Sequence, residues 1–515
     1  MKRGLKLSLM LLGALVSMPA RAQEQEQAAD RLGLAPGVPQ ADALPGGTQP
    51  AYGQPASGPQ DWRFDFHGFF TAPLRVGLNH RDNLCSRTNG ATCQAQPTND
   101  QSNLVLHAPP VVPDDLDTFS HTGVVPLPYA QMNFSYGNSI VTGNVILLAR
   151  VANVSSGFFD PSSQLGVNDV FLNFNLPDIG KDLKFEVNLG QFSNRYGVMG
   201  EYDEGRYGTP LIARTNGAGE NIIGRYRLGN VTLFVEQGFQ GQSDKAPTGL
   251  VSDGWNGFAD PNVGTSYVSH AHIGAGFMGM ATVGLHYMNA FSQDDRATGP
   301  LGKDGAINIL GGDLRLTLKK FGHFYVGASM VKAEAVGSVG RIVEVLNTRG
   351  GPGLIENYLG KNSGGNGKLT IFGAQYDLSL ARLMRSDNFT GNGPDIFLSL
   401  FGMGVKVKSD DPFKDNFTKV KFGAEGSYSL LPWLAAGVRY DMVKPDTKYD
   451  SYNFAVLSPR VIFRTGWQAH DQVTLQYSHW FNGKYTTVKT GYPAHEDVTV
   501  VPDEDMVSLS GSMWW

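Results

Sequence analysis

The chain has little of what marks a soluble enzyme. Its 515 residues include only two cysteines, Cys85 and Cys93. There is no G-x-S-x-G nucleophile elbow, no H-E-x-x-H, no P-loop and no G-x-G-x-x-G dinucleotide element, so no cofactor is implied. Beyond residue 22 no apolar run approaches the ~20 residues that a membrane-crossing helix needs, which excludes a helical-bundle membrane protein. Positive charge is scarce as well: 42 Lys and Arg face 47 Asp and Glu, a formal −5. That balance argues against nucleic acid or anionic lipid headgroups as partners of the chain as a whole.

The first residues read as an export signal. Lys2, Arg3 and Lys6 precede the apolar stretch Leu7 to Val16, and Ala20-Arg21-Ala22 supplies a small–x–small cleavage pattern. A signal peptide over 1–22 would leave 38 basic and 47 acidic side chains, or −9. Residues 23–61 are rich in Gln, Ala, Pro and Gly without apolar periodicity. They read as a disordered periplasmic leader, too short for a plug domain and without coiled-coil heptads. In an oxidising compartment Cys85 and Cys93, in a loop-like stretch, are expected to close a small disulfide loop.

From Trp62 onward, period-two alternation takes over. Leu183, Phe185, Val187 and Leu189 alternate with Lys184, Glu186, Asn188 and Gly190, and Leu314, Leu316 and Leu318 alternate with Asp313, Arg315 and Thr317. One face of each segment is apolar and the other polar, the pattern of a transmembrane antiparallel β-barrel. A soluble sandwich also alternates, but three features favour the barrel. Connections alternate between short turns and long Gly-, Asp- and Asn-rich loops. Aromatics group near strand ends, among them Tyr136, Phe192, Tyr226, Phe239, Phe277, Phe321, Trp433, Tyr440, Trp467 and Trp480, as an interfacial girdle would place them. The last strand alternates to a terminal Trp515.

The segments predict an all-β fold over residues 62–515 with eighteen strands: 62–78, 124–136, 139–151, 166–176, 182–192, 220–228, 230–240, 265–277, 280–291, 305–319, 321–336, 366–382, 394–408, 417–430, 433–443, 454–468, 471–483 and 505–515. The even count puts both termini on the periplasmic side with eight short turns. Sixteen is the competing count, because the first strand and the link near 383–394 are weakly marked.

In layout, residues 62–515 resemble the general and substrate-selective outer-membrane porins. The terminal strand resembles the signal read by the barrel insertion machinery, with Trp515 as its last residue. Gly190-Gln191-Phe192 resembles the G-Q-F approach of phosphate-selective porin-like proteins. The resemblance implies a water-filled channel in the outer membrane of a Gram-negative bacterium, surrounded by lipid and passing small hydrophilic solutes or ions. It also implies a homotrimer, although one lumen per chain suffices.

It further implies that the third outer loop, here 193–219, constricts the pore, with Arg195, Glu201, Asp203, Glu204, Arg206 and Arg214 setting a transverse field. Arginine is costly on a lipid face, so Arg225, Arg227, Arg315, Arg439, Arg460 and Arg464 are expected on the lumen wall. The acids Glu186, Glu236, Asp313, Glu425 and Asp441 join them. His270 and His272 share a face with His286 on the neighbouring strand, and a metal there would require convergence plus an oxygen or sulfur ligand. A rival reading is a surface-binding barrel whose loops 79–123 and 337–365 engage a partner. An outer-membrane hydrolase is a third reading, and it finds no motif.

Overall fold

The computed structural model describes residues 62–78, 119–120, 129–151, 163–176, 182–196, 213–243, 265–277, 280–293, 304–318, 321–336, 339, 343–345, 359–360, 364–384, 395–431, 433–444, 446–448, 453–463, 470–482, 484–489, 495–500 and 503–514. The signal peptide, the leader, the Cys85–Cys93 pair, Arg464 and Trp515 lie outside them.

Eighteen long strands carry the fold. They are β1 (Arg63–Gly77), β2 (Tyr129–Gly137), β3 (Val141–Val151), β4 (Ser163–Leu176), β5 (Leu183–Tyr196), β6 (Ala213–Leu228), β7 (Val231–Ser243), β8 (Thr265–Phe277) and β9 (Ala281–Gln293). Then follow β10 (Ala306–Thr317), β11 (His323–Glu334), β12 (Gly367–Ser379), β13 (Asp395–Ser409), β14 (Phe417–Leu431), β15 (Leu434–Lys444), β16 (Phe454–Phe463), β17 (His470–Asn482) and β18 (Glu504–Trp514). Each pairs antiparallel with its predecessor and its successor. β1 also pairs with β18, from Phe69 opposite Trp514 to Gly77 opposite Met506. The pairings thus form a closed circuit of eighteen strands, as the alternation predicts and not sixteen. Both weakly marked regions belong to it, since β1 pairs on both sides and β12 pairs with β13.

The two faces of the sheet differ in chemistry. On β9, Leu285 is 58% exposed and points outward, while His286 is 2% exposed and points inward. The outer face repeats this everywhere, with Leu189, Ile222, Val235, Ile273, Leu310, Phe372, Leu400, Val438 and Leu475 exposed. The inner face carries Asn144, Asn173, Glu236, His272, Asp313, Glu425 and Arg439, all buried. An apolar outside with a polar inside reverses a soluble sandwich and suits a barrel in lipid.

At the short-turn end the hairpins are closed by specific chemistry. Asn138 Oδ1 accepts from the amides of Ile140 (2.9 Å) and Val141 (3.0 Å) between β2 and β3. Gly229, at φ 60°, opens the two-residue turn between β6 and β7. Gly322, at φ 88°, precedes β11 so closely that a Cβ there would meet the Asp377 carbonyl oxygen at 1.9 Å. Gly274, Gly276 and Gly279 spell G-x-G-x-x-G, but β8 returns directly as β9 without a helix, so the string is no dinucleotide element.

Several expected boundaries shift. β2 is described from Tyr129, its expected start at 124 lying outside the described residues, and β6 begins at Ala213 instead of 220. β5 continues to Tyr196, so the expected loop 193–219 contracts to 197–212. Residues Leu380–Met384 form a short helix after β12. Three expected loops contain strands: Phe119–Ser120 pairs with β1, Val343–Val345 with β6, and Lys484–Lys489 forms a hairpin with His495–Val500. β5 and β6 are longer than expected because their outer ends pair beyond the point where alternation fades.

Replacing Gly322 with Val should lower stability by about 2 kcal/mol or more, because it adds a Cβ against backbone at a left-handed position. Gly166→Val, where no atom lies within 4 Å of the added Cβ, serves as the control. Heat-modifiable gel mobility measures both, and equal midpoints would refute the steric account.

Candidate functional site

The inner face is organised into tied-down charged clusters. On one wall Arg439 donates from Nε to Asp441 Oδ2 (2.5 Å) and from Nη2 to Asp441 Oδ1 (2.8 Å). Arg439 Nη1 lies 3.9 Å from Glu425, which also receives Arg460. Strand register builds this cluster, since Glu425 is directly opposite Arg439 and Arg460 sits one strand beyond. All four side chains are nearly inaccessible, so each charge depends on its partner.

A second cluster lies on β4, β5 and β6. Arg225 donates to Glu186 at 2.9 Å, and Asn173 donates to Glu186 and to Asn188, each at 2.8 Å. Arg227 shares the inward face of β6 and reaches the Gly229 carbonyl. Arg315 lies 5.5 Å from the ring centre of Tyr325, its register partner on β11.

The third cluster holds the histidines. The β8–β9 register pairs His272 with His286, and their ring centres are 6.3 Å apart. Asn221 donates to Glu236 at 2.9 Å, so its Oδ1 is left facing His270 Nε2 at 3.1 Å, which makes that nitrogen the donor. His270 and His272 stand 3.6 and 3.8 Å from Glu236, and His286 stands 3.8 Å from Asp313. Among the described residues no group of His, Cys, Asp and Glu is arranged to hold a metal ion. Each imidazole instead lies over a glycine of an adjacent strand, β7 for His270, β9 for His272 and β10 for His286. A Cβ on Gly238 would touch His270 at 2.3 Å, one on Gly284 His272 at 2.4 Å, and one on Gly311 His286 at 2.4 Å. The glycines keep these rings flat against the wall, where bulkier neighbours would push them into the lumen.

Toward the long-loop end the inner wall becomes apolar. Val268, Met288, Ala290, Ile307, Ile309, Val331, Ala333, Leu369, Ile371, Met403, Val405 and Val407 pack together there. Val336, Val339, Val343 and Leu359 complete the cluster, and all four belong to the connection between β11 and β12. This connection therefore folds inward over β8–β13. Ala335 starts it at φ 44°, and its amide donates to Asn366 Oδ1 (2.6 Å) across the base. Val339 sits on Gly305, where a Cβ would meet it at 2.8 Å. The Leu359 carbonyl accepts from Ser409, and Val343–Val345 pairs with Ala213–Thr215. Full burial of a Val or Leu side chain is worth roughly 1.5–3 kcal/mol, so four of them hold the segment firmly.

Of the residues expected in the constriction, Glu201, Asp203, Glu204 and Arg206 lie outside the described residues. Arg195 and Arg214 are strand residues, directly opposite each other in the β5–β6 ladder, and Arg214 also faces Glu344 in the short inward pairing. The aromatic expectation divides. Tyr136, Tyr226, Phe239, Phe277, Phe321, Trp433 and Tyr440 are exposed on the outer face, whereas Phe192 and Trp480 point inward and are buried. Phe192 packs on Phe171, and Trp480 stacks on Phe454 at 5.3 Å. The girdle expectation is corrected for these two because position near a strand end does not determine the face, whereas parity does.

Sequence reasoning passed over Lys419 and Asp377, both on the inner face. It also passed over the apolar upper wall. The available signal was loss of alternation: Ile307 and Ile309 face inward on β10 while Leu310 faces out, so both faces are apolar.

No protein-family model matches the chain, and no curated protein matches it. Among solved structures it is similar to OccAB1 of Acinetobacter baumannii, at 10% identity over 89% of this chain and 98% of that one, TM-score 0.41. It is similar to OccD3 (OpdP) of Pseudomonas aeruginosa, at 8% identity over 91% and 96%, TM-score 0.39. It is also similar to the outer membrane channel DcaP of Acinetobacter baumannii, at 9% identity over 90% and 99%, TM-score 0.38. At these identities and scores the likeness says nothing of what this chain transports or binds.

Arg439→Met should destabilise the folded barrel by about 3 kcal/mol, because it leaves the buried Asp441 and Glu425 with less compensation. Urea titration followed by tryptophan fluorescence reads the change, and an unshifted midpoint would refute the account of the cluster as mutually dependent.

Proposed function

We propose that the chain is an outer-membrane porin, a channel for passive diffusion of small hydrophilic solutes or ions. The observation that carries this reading is the closed circuit of eighteen strands with an apolar outer face and a charged inner face. Closure satisfies the backbone groups that hydrocarbon cannot, and a ring of this strand number encloses a water-accessible interior. The part-buried inner charges Arg225, Arg227, Arg315 and Glu186 present both signs of charge to a passing solute and favour polar molecules over apolar ones. Neither an energy source nor a cofactor enters the reading.

The connection 335–366 narrows the outer mouth in this reading, because it lies on the inner wall from β13 to β6. Loop 197–212 contributes the remaining charges of the constriction, Glu201, Asp203, Glu204 and Arg206. A trimer fits the proposal but is not required by it.

Refolded protein in a planar bilayer should give stable stepwise currents under a salt gradient. A folded but silent barrel would refute the channel reading and favour a surface-binding role for the long loops. Deleting residues 340–358 should raise single-channel conductance about twofold, by widening the narrowest section of a pore whose selectivity is set at close quarters. Unchanged conductance would remove this segment from the permeation path. Arg206→Glu should shift the reversal potential toward cations, and an unshifted potential would remove loop 197–212 from the constriction.

A further inference from the structure

The outer face is apolar along most of its height, yet at the long-loop end of β11, β12 and β13 it carries a row of lysines. Lys332 is directly opposite Lys368, and Lys368 is directly opposite Lys408. Lys406 lies one outward position below Lys408, opposite Thr370. All four side chains are exposed and share parity with the outward residues Met330, Phe372 and Leu400. The row therefore sits immediately above the apolar belt, at the level where hydrocarbon gives way to headgroups.

Like charges placed directly opposite on adjacent strands repel, and three in a row do so twice. Local acids answer only part of this. Glu334 holds Lys332 at 2.5 Å in an exposed pair, and Asp410 adds to the field at that lysine. Among the described residues no acid lies within ion-pair distance of Lys368, Lys406 or Lys408. The patch is locally positive on a chain whose overall charge is −5.

We propose that this row binds the headgroup of a lipid bearing phosphate monoesters, in the leaflet at the long-loop end. The inference rests on the membrane placement proposed above. Neighbouring strands hold the lysines close enough for one doubly phosphorylated headgroup to span them. Met330, Phe372 and Leu400 lie beneath, where the acyl chains of the same lipid would run. A soluble anion would use the ammonium groups but gain nothing from the apolar belt, so the amphiphile is the better complement.

The full-length protein, reconstituted in phosphatidylcholine nanodiscs, is titrated with a fluorescent bisphosphorylated glucosamine-disaccharide lipid. Wild type should bind it saturably, and the triple variant Lys332→Gln, Lys368→Gln, Lys408→Gln should bind roughly a hundredfold more weakly. Equal affinity would overturn the proposal. Complete displacement of the lipid by inorganic phosphate would also overturn it, in favour of a free-anion site.

Lys368→Gln alone removes the central charge and relieves repulsion. It should raise the heat-modifiability midpoint in phosphatidylcholine and lower it once the phosphorylated lipid is present. A shift of the same sign in both lipids would refute the site. Conductance is recorded on the same preparations. A silent barrel that still binds the lipid counts against the channel, and a conducting barrel indifferent to the lipid counts against the lysine row alone.

Discussion

In the membrane placement proposed for this chain, the fold follows from the need to pair every backbone amide and carbonyl where no water can do so. A sheet meets that need only by closing on itself, because any free edge would expose a column of unpaired groups to hydrocarbon. The pairing of β1 with β18 is therefore the interaction on which the rest depends. Once the ring is closed, the two-residue period of a strand divides every segment into a lipid side and an enclosed side. Composition then has little freedom on the outer face, which Leu, Val, Ile and Phe fill, and below the apolar upper wall the charges that lipid would reject go in.

Having charges inside creates a second problem, which the inner wall solves by pairing. Arg439 is gripped by Asp441 and faces Glu425, while Arg225 is gripped by Glu186. Strand geometry supplies these partners: Glu425 is directly opposite Arg439, Glu186 is diagonal to Arg225 on the adjacent strand, and Asp441 lies two residues along the same strand as Arg439, so no special loop is needed. The same register lays each imidazole of His270, His272 and His286 across a glycine of its neighbour. Glycine in a strand usually weakens it, and here each one makes room for a ring.

Much of the fold was legible in the sequence because period-two alternation is a local property. Leu183 to Gly190, or Asp313 to Leu318, declare their faces without reference to the rest of the chain, and the short turns mark where direction reverses. The strand number and the inward placement of Arg225, Arg315 and Glu236 are readable for that reason. The inward connection was not legible, because its partners are distant. Val339 reads as an ordinary loop valine until Gly305, Met288 and Ile309 are seen beneath it. Phe192 and Trp480 were misread for a related reason: an aromatic near a strand end suggests an interface, and only the pairing register shows that it points the other way. The lysine row was equally hidden, since Lys332, Lys368 and Lys408 become neighbours only when three strands are aligned.

The short pairing of Val343–Val345 with Ala213–Thr215 has a consequence for how this barrel tolerates change. Outer loops of such a ring are ordinarily free to lengthen, shorten or accept foreign sequence, since nothing but the strand ends anchors them. The β11–β12 connection is different, because it is fastened at its base, along its apolar underside and through the strand pairing at Val343–Val345. Inserted peptides there would have to break a built-in clasp. In a lineage descended from this chain, insertions and deletions should skip the clasped connection.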